Sequence, residues 1–418
     1  MDRRTRLLLL SFLAFVSLGL PDTIFGVAWP SLRGGFGLPQ SAMGAALVTG
    51  VSGYFVSGLV AGNLMSKIGV GGLLAGSSGL VALGLVGYAL APAWHLFFPI
   101  AFFIGLGSGA IDSALNAYAA RNFSVRHMNW LHASWGLGAS TGPVIMTAAI
   151  AQGAGYRAGY AVIASALGLM TLAFVTTRRM WNEPAAAAAG ETAAPAPEVS
   201  PAPQAEAPVP VRGSMLAALR SPSVLLLMAT YFVYTGLETT VGSWCFTLLT
   251  EGRGLGVEEA GSWTAAYWAS LTLGRVALGW VVEWMGADRL LRFASAGIVL
   301  GVALFAFVPG VPGRAGLLLL GASLAPVYPT LMARTPARVG AEIAPYAVGL
   351  IVSSATLGSS LLPALVGLLV GWRGLAVISA AALVAGVAFL LLHEVVLRFA
   401  RPAAATNEIA AAARNSRS

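Results

Sequence analysis

Charge is scarce in this chain. Only 10% of its 418 residues are Asp, Glu, Lys or Arg, where soluble domains carry roughly 25%. So few charges cannot cover a water-soluble fold of this length, which leaves lipid as the surrounding solvent. The single cysteine, Cys245, excludes an internal disulfide and reads as a small apolar helix residue. No Gly-x-Ser-x-Gly, phosphate loop, dinucleotide fingerprint or His/Cys zinc cluster occurs. These absences argue against an enzyme and against nucleotide-driven work, and no cofactor or metal is expected. The net charge of +8 does not mark a nucleic-acid binder, because the basic residues sit between apolar runs rather than along one face.

Apolar sequence is what the chain has in quantity. Hydrophobic residues make up 57%, and 51 glycines suit helices packed closely in lipid. Spanning segments are expected near 7–31, 42–65, 70–91, 95–119, 129–151 and 157–178, then near 221–249, 259–283, 290–309, 314–333, 343–369 and 373–397. The basic start followed by Leu7 to Leu20 mimics a cleaved leader. The apolar run continues past Pro21 and Asp22 to about Leu32 with no small-x-small site, so it is expected to stay as the first span.

The fold class expected is an all-α membrane protein of twelve transmembrane helices. Residues 1–180 form one six-helix bundle and 214–400 a second. An Ala/Pro-rich flexible linker (181–213) joins them, and 401–418 is a loose tail. With the N-terminus inside, most of the 24 Lys and Arg fall on the inner side, while Arg33, Arg157, Arg253, Arg314 and Arg373 fall outside. That bias places both termini in the cytoplasm of a bacterial inner membrane. The halves repeat. Gly35, Gly37, Leu38 and Gly44 match Gly252, Gly254, Leu255 and Gly261 at an offset of 217, as Gly62, Gly69, Leu73 and Leu74 match Gly279, Gly286, Leu290 and Leu291. Asp22-Thr23-x-x-Gly26 matches Glu238-Thr239-x-x-Gly242 at 216. Each half has an even number of spans, so the repeats run parallel, with a solute site near the midplane between them.

Ionisable groups inside apolar spans carry the functional signal. Asp22, Asp112 and Glu238 lie well within spans 1, 4 and 7. A charge at a helix centre costs about 2.5–3.5 kcal/mol even on a lenient insertion scale, so such groups face a cavity or a partner. Shielding from water favours the neutral form of a carboxyl, which suits these three to proton coupling; a structural hydrogen bond to a neighbouring helix is the alternative. Asn116, four residues after Asp112, shares its helix face and offers both donor and acceptor to a hydroxylated ligand. His132 and Trp135 on span 5 are candidates for solute contact, with His132 also placed to relay protons or to sit at the mouth of its span. Tyr234, Trp29, Trp244 and Trp268 are candidate platforms in the cavity, although tryptophans also anchor membrane interfaces. Arg275 is the one basic residue deep in a span, expected to pair with Glu238 or Glu283 as a structural or gating contact. Gly138-x-x-x-Gly142-Pro143 on span 5 removes bulk and a backbone hydrogen bond, suiting either a hinge or plain packing.

Span 4, Gly105-Leu106-Gly107-Ser108-Gly109-Ala110-Ile111-Asp112-Ser113-Ala114-Leu115-Asn116, resembles the fucose permease branch of the major facilitator superfamily, as do Asp22, the run from Tyr234 to Glu238, and Gly274-Arg275. The resemblance implies proton binding and sugar recognition by Asp22 and Asp112, with Asn116 as a sugar contact. Asp112 stands where that branch has the longer Glu, and Gly136 stands at its polar span-5 position. The superfamily's loop motif, Gly-x-x-x-Asp-x-x-Gly before basic residues, implies a gating role at two places. The first copy is Gly62, Ser66, Lys67 and Gly69, with Ser66 in place of the acid. The second is Gly279, Glu283, Gly286, Asp288 and Arg289.

The function expected is a proton-coupled secondary transporter for a small polar solute, a sugar first. Its partners are then the solute, protons and membrane lipid, with the chain acting as a monomer. The rival is a proton-driven efflux antiporter for an amphipathic compound, suggested by Gly138, Gly142 and Pro143.

Overall fold

The computed structural model describes residues 2–123, 125–182, 214–340 and 342–399. The expected linker beyond residue 182 and the tail from 401 lie outside them. Among the described residues the chain is all helix: α1 (Arg3–Asp22), α2 (Ile24–Phe36), α3 (Ala42–Leu90), α4 (Phe97–Asn122), α5 (Val125–Ala151), α6 (Gly155–Asn182), α7 (Met215–Arg220), α8 (Pro222–Thr247), α9 (Val257–Met285), α10 (Ala287–Phe307), α11 (Gly310–Leu324), α12 (Val327–Val339), α13 (Ala344–Arg373) and α14 (Val377–Phe399). A 3-10 turn (Trp94–Leu96) precedes α4, and a π turn (Leu248–Gly252) extends α8. These elements make twelve crossings in two six-helix bundles, with α7 a short lead-in capped by the Ser214 hydroxyl on the Ala217 N–H.

Three elements depart from the simplest reading of the hydropathy. Span 1 is broken, because Pro21 has no N–H to give and Thr23 leaves the helix at φ −113°, ψ −7°. Spans 2 and 3 form one 49-residue helix, α3, whose continuity fails only at Gly69 (φ 75°, ψ 168°). Span 10 is split into α11 and α12 around Ala325 and Pro326.

The repeat is visible in the backbone. Gly37 and Gly254 end spans 1 and 7 with φ of 65° and 69°, and Gly69 and Gly286 turn between spans with φ of 75° and 81°. Only glycine enters that region without strain. The face carrying the start of α1 and the end of α14 is called the terminal face below, and its opposite the far face.

Nine stretches of the described residues are long and apolar enough to cross a membrane, one of them α3, which crosses twice. The two long helices that fall short are α5 and α9. They pack on each other across the seam between the bundles: a Cβ on Gly136 or Gly261 would strike the side chain of Thr272 or Thr147. A helix shielded by its partner needs less lipid-facing hydrophobicity.

Within the first bundle, α3 and α4 touch backbone to backbone. A Cβ on Gly105 would fall on the Gly50 carbonyl, and one on Gly53 on the Phe102 carbonyl. Gly105→Ala should therefore lower the thermal midpoint of the detergent-purified protein, at a cost of about 1–3 kcal/mol. Gly58 on the same α3 has open space around its Cβ position, so Gly58→Ala should leave the midpoint unchanged or raised. Equal midpoints for the two variants would contradict the packing.

Candidate functional site

The break in span 1 sets the site. Thr23 donates its hydroxyl to the Ala139 carbonyl of α5 at 2.8 Å, pinning the break to span 5. Gly19, Gly138 and Gly142 bring the two helices close, since a Cβ at any of them would meet backbone of the other. The Gly138-x-x-x-Gly142 pair is thus a packing seam beside the break, with Pro143 buried behind it. Asp22, the last residue of α1, then projects from the break. The Trp135 indole N–H donates to its Oδ2 at 2.9 Å, and the side chain keeps access to solvent.

Asp112 sits opposite on α4. The Tyr54 hydroxyl of α3 donates to its Oδ2 at 2.7 Å. The Asn116 amide donates to its Oδ1 at 2.8 Å and to its backbone carbonyl at 3.0 Å. Close approach at Gly109, where a Cβ would crowd Tyr54 and Ser57, places the phenol there. Asp22 and Asp112 lie within electrostatic reach of each other, and Asp112 of His132. His132, with its ring 5.3 Å from that of Phe15, is solvent-exposed.

The second bundle brings Glu238 to the same level. The Tyr234 hydroxyl donates to its Oε2, and the Arg275 guanidinium lies 3.6 Å from its Oε1. Tyr267 donates to the Glu238 backbone carbonyl at 2.9 Å. Arg275 also lies over the Trp135 ring at 5.8 Å, and Trp268 meets that ring edge-on at 6.1 Å. Tyr328, just past the break in span 10, feels Asp112, Glu238 and Arg275. The structure therefore gathers Asp22, Asp112, Asn116, His132, Trp135, Tyr234, Glu238, Trp268 and Arg275 at one level.

Trp29 and Trp244 are not among them. Both are fully buried toward the far face, where Trp29 donates to Gln40 at 2.8 Å and Trp244 to the Pro363 carbonyl at 3.0 Å. There they belong to a closure. Arg33 pairs with Glu251 at 3.0 Å across the two bundles, and Gln40 donates to the same carboxylate at 2.7 Å. Gly26 meets Ser243, and Gly44 meets Ala364, with no room for a side chain. Asp22 and His132 keep exposed surface although the far face is sealed.

Sequence reasoning missed Tyr54, Tyr328 and the closure. Tyr54 is the one tyrosine in its apolar span, and Pro326 and Pro329 flank Tyr328 as Pro21 precedes Asp22; these were the available signals. Gly136, standing at a polar position of the resembled branch, is glycine here because Thr272 of the other bundle fills its side-chain space.

The sequence profile of the Major Facilitator Superfamily matches residues 7–345. The chain belongs to this superfamily of transporters. The structure is similar to the nucleoside transporter NupG, with a TM-score of 0.72 at 13% identity over 96% of this chain and 100% of that one. It is also similar to a point mutant of the Escherichia coli fucose:proton symporter FucP, with a TM-score of 0.58 at 17% identity over 94% and 99%. Among curated proteins, Bypass of stop codon protein 6 of Saccharomyces cerevisiae is 24% identical over 278 residues, which are 64% of this chain. The chain spans about half the length of that relative, 55%.

The superfamily's loop motif differs between the two copies. Ser66 turns back on its own helix, donating to the Asn63 carbonyl at 2.8 Å, and Gly62, Ser66 and Lys67 are exposed. In the second copy Gly286 makes the turn and Arg289 is exposed. The holding contact comes from Asp288, which takes Arg334 at 3.1 Å and Arg338 at 3.4 Å from α12. Gly279 and Glu283 lie outside the residues whose surroundings are described.

The far-face closure gives a measurable expectation. In a Cys245→Ser background, cysteines at Ser41 and Gly371, whose Cβ positions would lie 3.9 Å apart across the two bundles, should cross-link under mild oxidant. Adding Arg33→Ala should lower the yield by up to about fivefold, the population shift available from a partly exposed ion pair. An unchanged yield would show that Arg33 and Glu251 do not hold the bundles together.

Proposed function

We propose that the chain is a proton-coupled carrier of a small polyhydroxylated solute, a sugar first, working by alternating access as a monomer. The observation that carries this reading is the Asp112 carboxylate, held well inside span 4 by one phenol and one amide, with the exposed Asp22 within its electrostatic reach. Hydroxyl groups of a solute can replace Tyr54 or Asn116 as donors to Asp112, while the freed amide donates and accepts in turn. Tyr328, Trp268 and Trp135 supply ring faces for the apolar side of a pyranose or furanose. His132, within reach of Asp112, is a candidate proton relay. Asp22 and Asp112 take the proton, and Glu238, already engaged by Tyr234 and Arg275, sets the charge of the second wall.

The excess of Lys and Arg on the terminal face supports a cytoplasmic placement of that face. The conformation, shut at the far face, is then inward-open. The likeness to a nucleoside transporter adds nucleosides, which carry a ribose, to the solutes worth testing. The efflux reading rests on Gly138, Gly142 and Pro143, and the contact of the two glycines with α1 and α2 accounts for them without it.

The test is purified protein in liposomes with an imposed proton gradient, screened against sugars and nucleosides. Wild type should accumulate one class uphill. Asp112→Asn should lower accumulation at least about tenfold, a loss of about 1.4 kcal/mol of coupling, while solute exchange continues. Undiminished uphill uptake by Asp112→Asn would remove the proposed role.

A further inference from the structure

Among the described residues, Trp135 is the side chain that touches both charged systems of the site. It belongs to α5 of the first bundle, donates to Asp22 at 2.9 Å, and offers its ring to Arg275 of α9 at 5.8 Å. Arg275 in turn is held by Glu238 only loosely, at 3.6 Å, because Tyr234 occupies the other oxygen of that carboxylate. Next to Trp135, Gly136 abuts Thr272 with no space between the bundles. The indole therefore stands where the proton site, the inter-bundle cation and the α5–α9 seam meet.

We propose that Trp135 is the positioning residue that transmits the proton state of Asp22 to Arg275 and so to the seam between the bundles. The proposal deepens the proton-coupled reading above and rests on it. An indole N–H can only donate. It bonds strongly to an ionised carboxylate and weakly to a protonated one. Proton uptake by Asp22 therefore releases the indole. The ring then turns off the guanidinium, Arg275 closes on Glu238, and the α5–α9 contact loses the cation–π bond that spans it. A residue read from the sequence as a solute platform becomes a coupling element, and its two contacts lie on different bundles as that role requires.

The titratable groups around Asp22 are Asp112 on α4 and Tyr54 on α3, and His132 on α5 faces Asp112 and Arg275. From the second bundle Arg275 on α9 and Glu238 on α8 face it through Trp135, and Tyr328 on α12 faces Asp112. The charged residues of α6, Arg157, Arg178 and Arg179, lie near the ends of that helix. Of these neighbours only Trp135 donates a hydrogen bond to the Asp22 carboxylate.

The test compares Trp135→Phe, which keeps a ring over Arg275 and removes the donor, with Asp22→Asn and wild type in the same liposomes. Without the donor the charged carboxylate is disfavoured, so proton-driven uptake should persist to higher pH, its profile moving up by about one unit. Accumulation should fall about tenfold. A pH profile superimposed on wild type, in a background where Asp22→Asn abolishes accumulation, overturns the role of Trp135 alone. Full accumulation by Asp22→Asn overturns the proton-coupled reading itself. Should Trp135→Phe fail to fold, wild type labelled with 5-fluorotryptophan supplies the second measurement, with Trp135→Tyr identifying the resonance. The 19F resonance of Trp135 should titrate in wild type and stay fixed in Asp22→Asn. A Trp135 resonance that titrates equally in both overturns the proposal.

Discussion

A carboxylate in hydrocarbon has to be answered by donors from the protein, and that requirement organises this molecule. Asp22, Asp112 and Glu238 are each met by side chains on other turns or other helices: an indole, a phenol and an amide, a phenol and a guanidinium. Meeting them dictates where α1 breaks, how closely α3 approaches α4, and which residue of α5 points inward. The glycines serve the same end, since the donors reach their acids only because backbones touch at Gly19, Gly109 and Gly138. Placement of three charges thus explains much of the helix packing around the crevice.

The two copies of the repeat have diverged at the terminal face. In the second bundle Asp288 holds two arginines of α12, whereas Ser66 in the first bundle holds only its own helix. The bundles are related in backbone, down to paired glycines of positive φ, yet the clasp from Asp288 to α12 belongs to the second bundle's copy of the motif. The far face compensates with the Arg33, Gln40 and Glu251 cluster, which joins the bundles directly.

The twelve crossings were legible in the sequence because lipid imposes a length and a composition on each of them. The three acids were legible because a charge stands out in an apolar run, and Asn116 because the helix period puts it beside Asp112. Less was readable where the signal depends on distance between helices. Nothing local to Tyr54 says that it meets Asp112; that contact needs the glycines of α4 to bring two spans together. Trp29 and Trp244 carry the same local pattern as Trp268, yet only Trp268 stands at the level of the acids. Depth along a span follows from where a helix starts and breaks, and the breaks at Thr23 and Pro326 were not visible as hydropathy. The closure at the far face was missed because Arg33 and Glu251 lie 218 residues apart.

The mutual shielding of α5 and α9 has a consequence for biogenesis. These are the long helices whose own composition falls short of a membrane span, and they pack on each other across the seam, while α5 also packs extensively on α1 and α9 on α11. During synthesis α5 emerges well over a hundred residues before its partner, so it enters the bilayer poorly anchored by its own partition energy. It has to be retained by α1 and α6, or by the insertion machinery, until α9 arrives. The face of α5 that meets α9 is thus covered only once the second bundle has been translated.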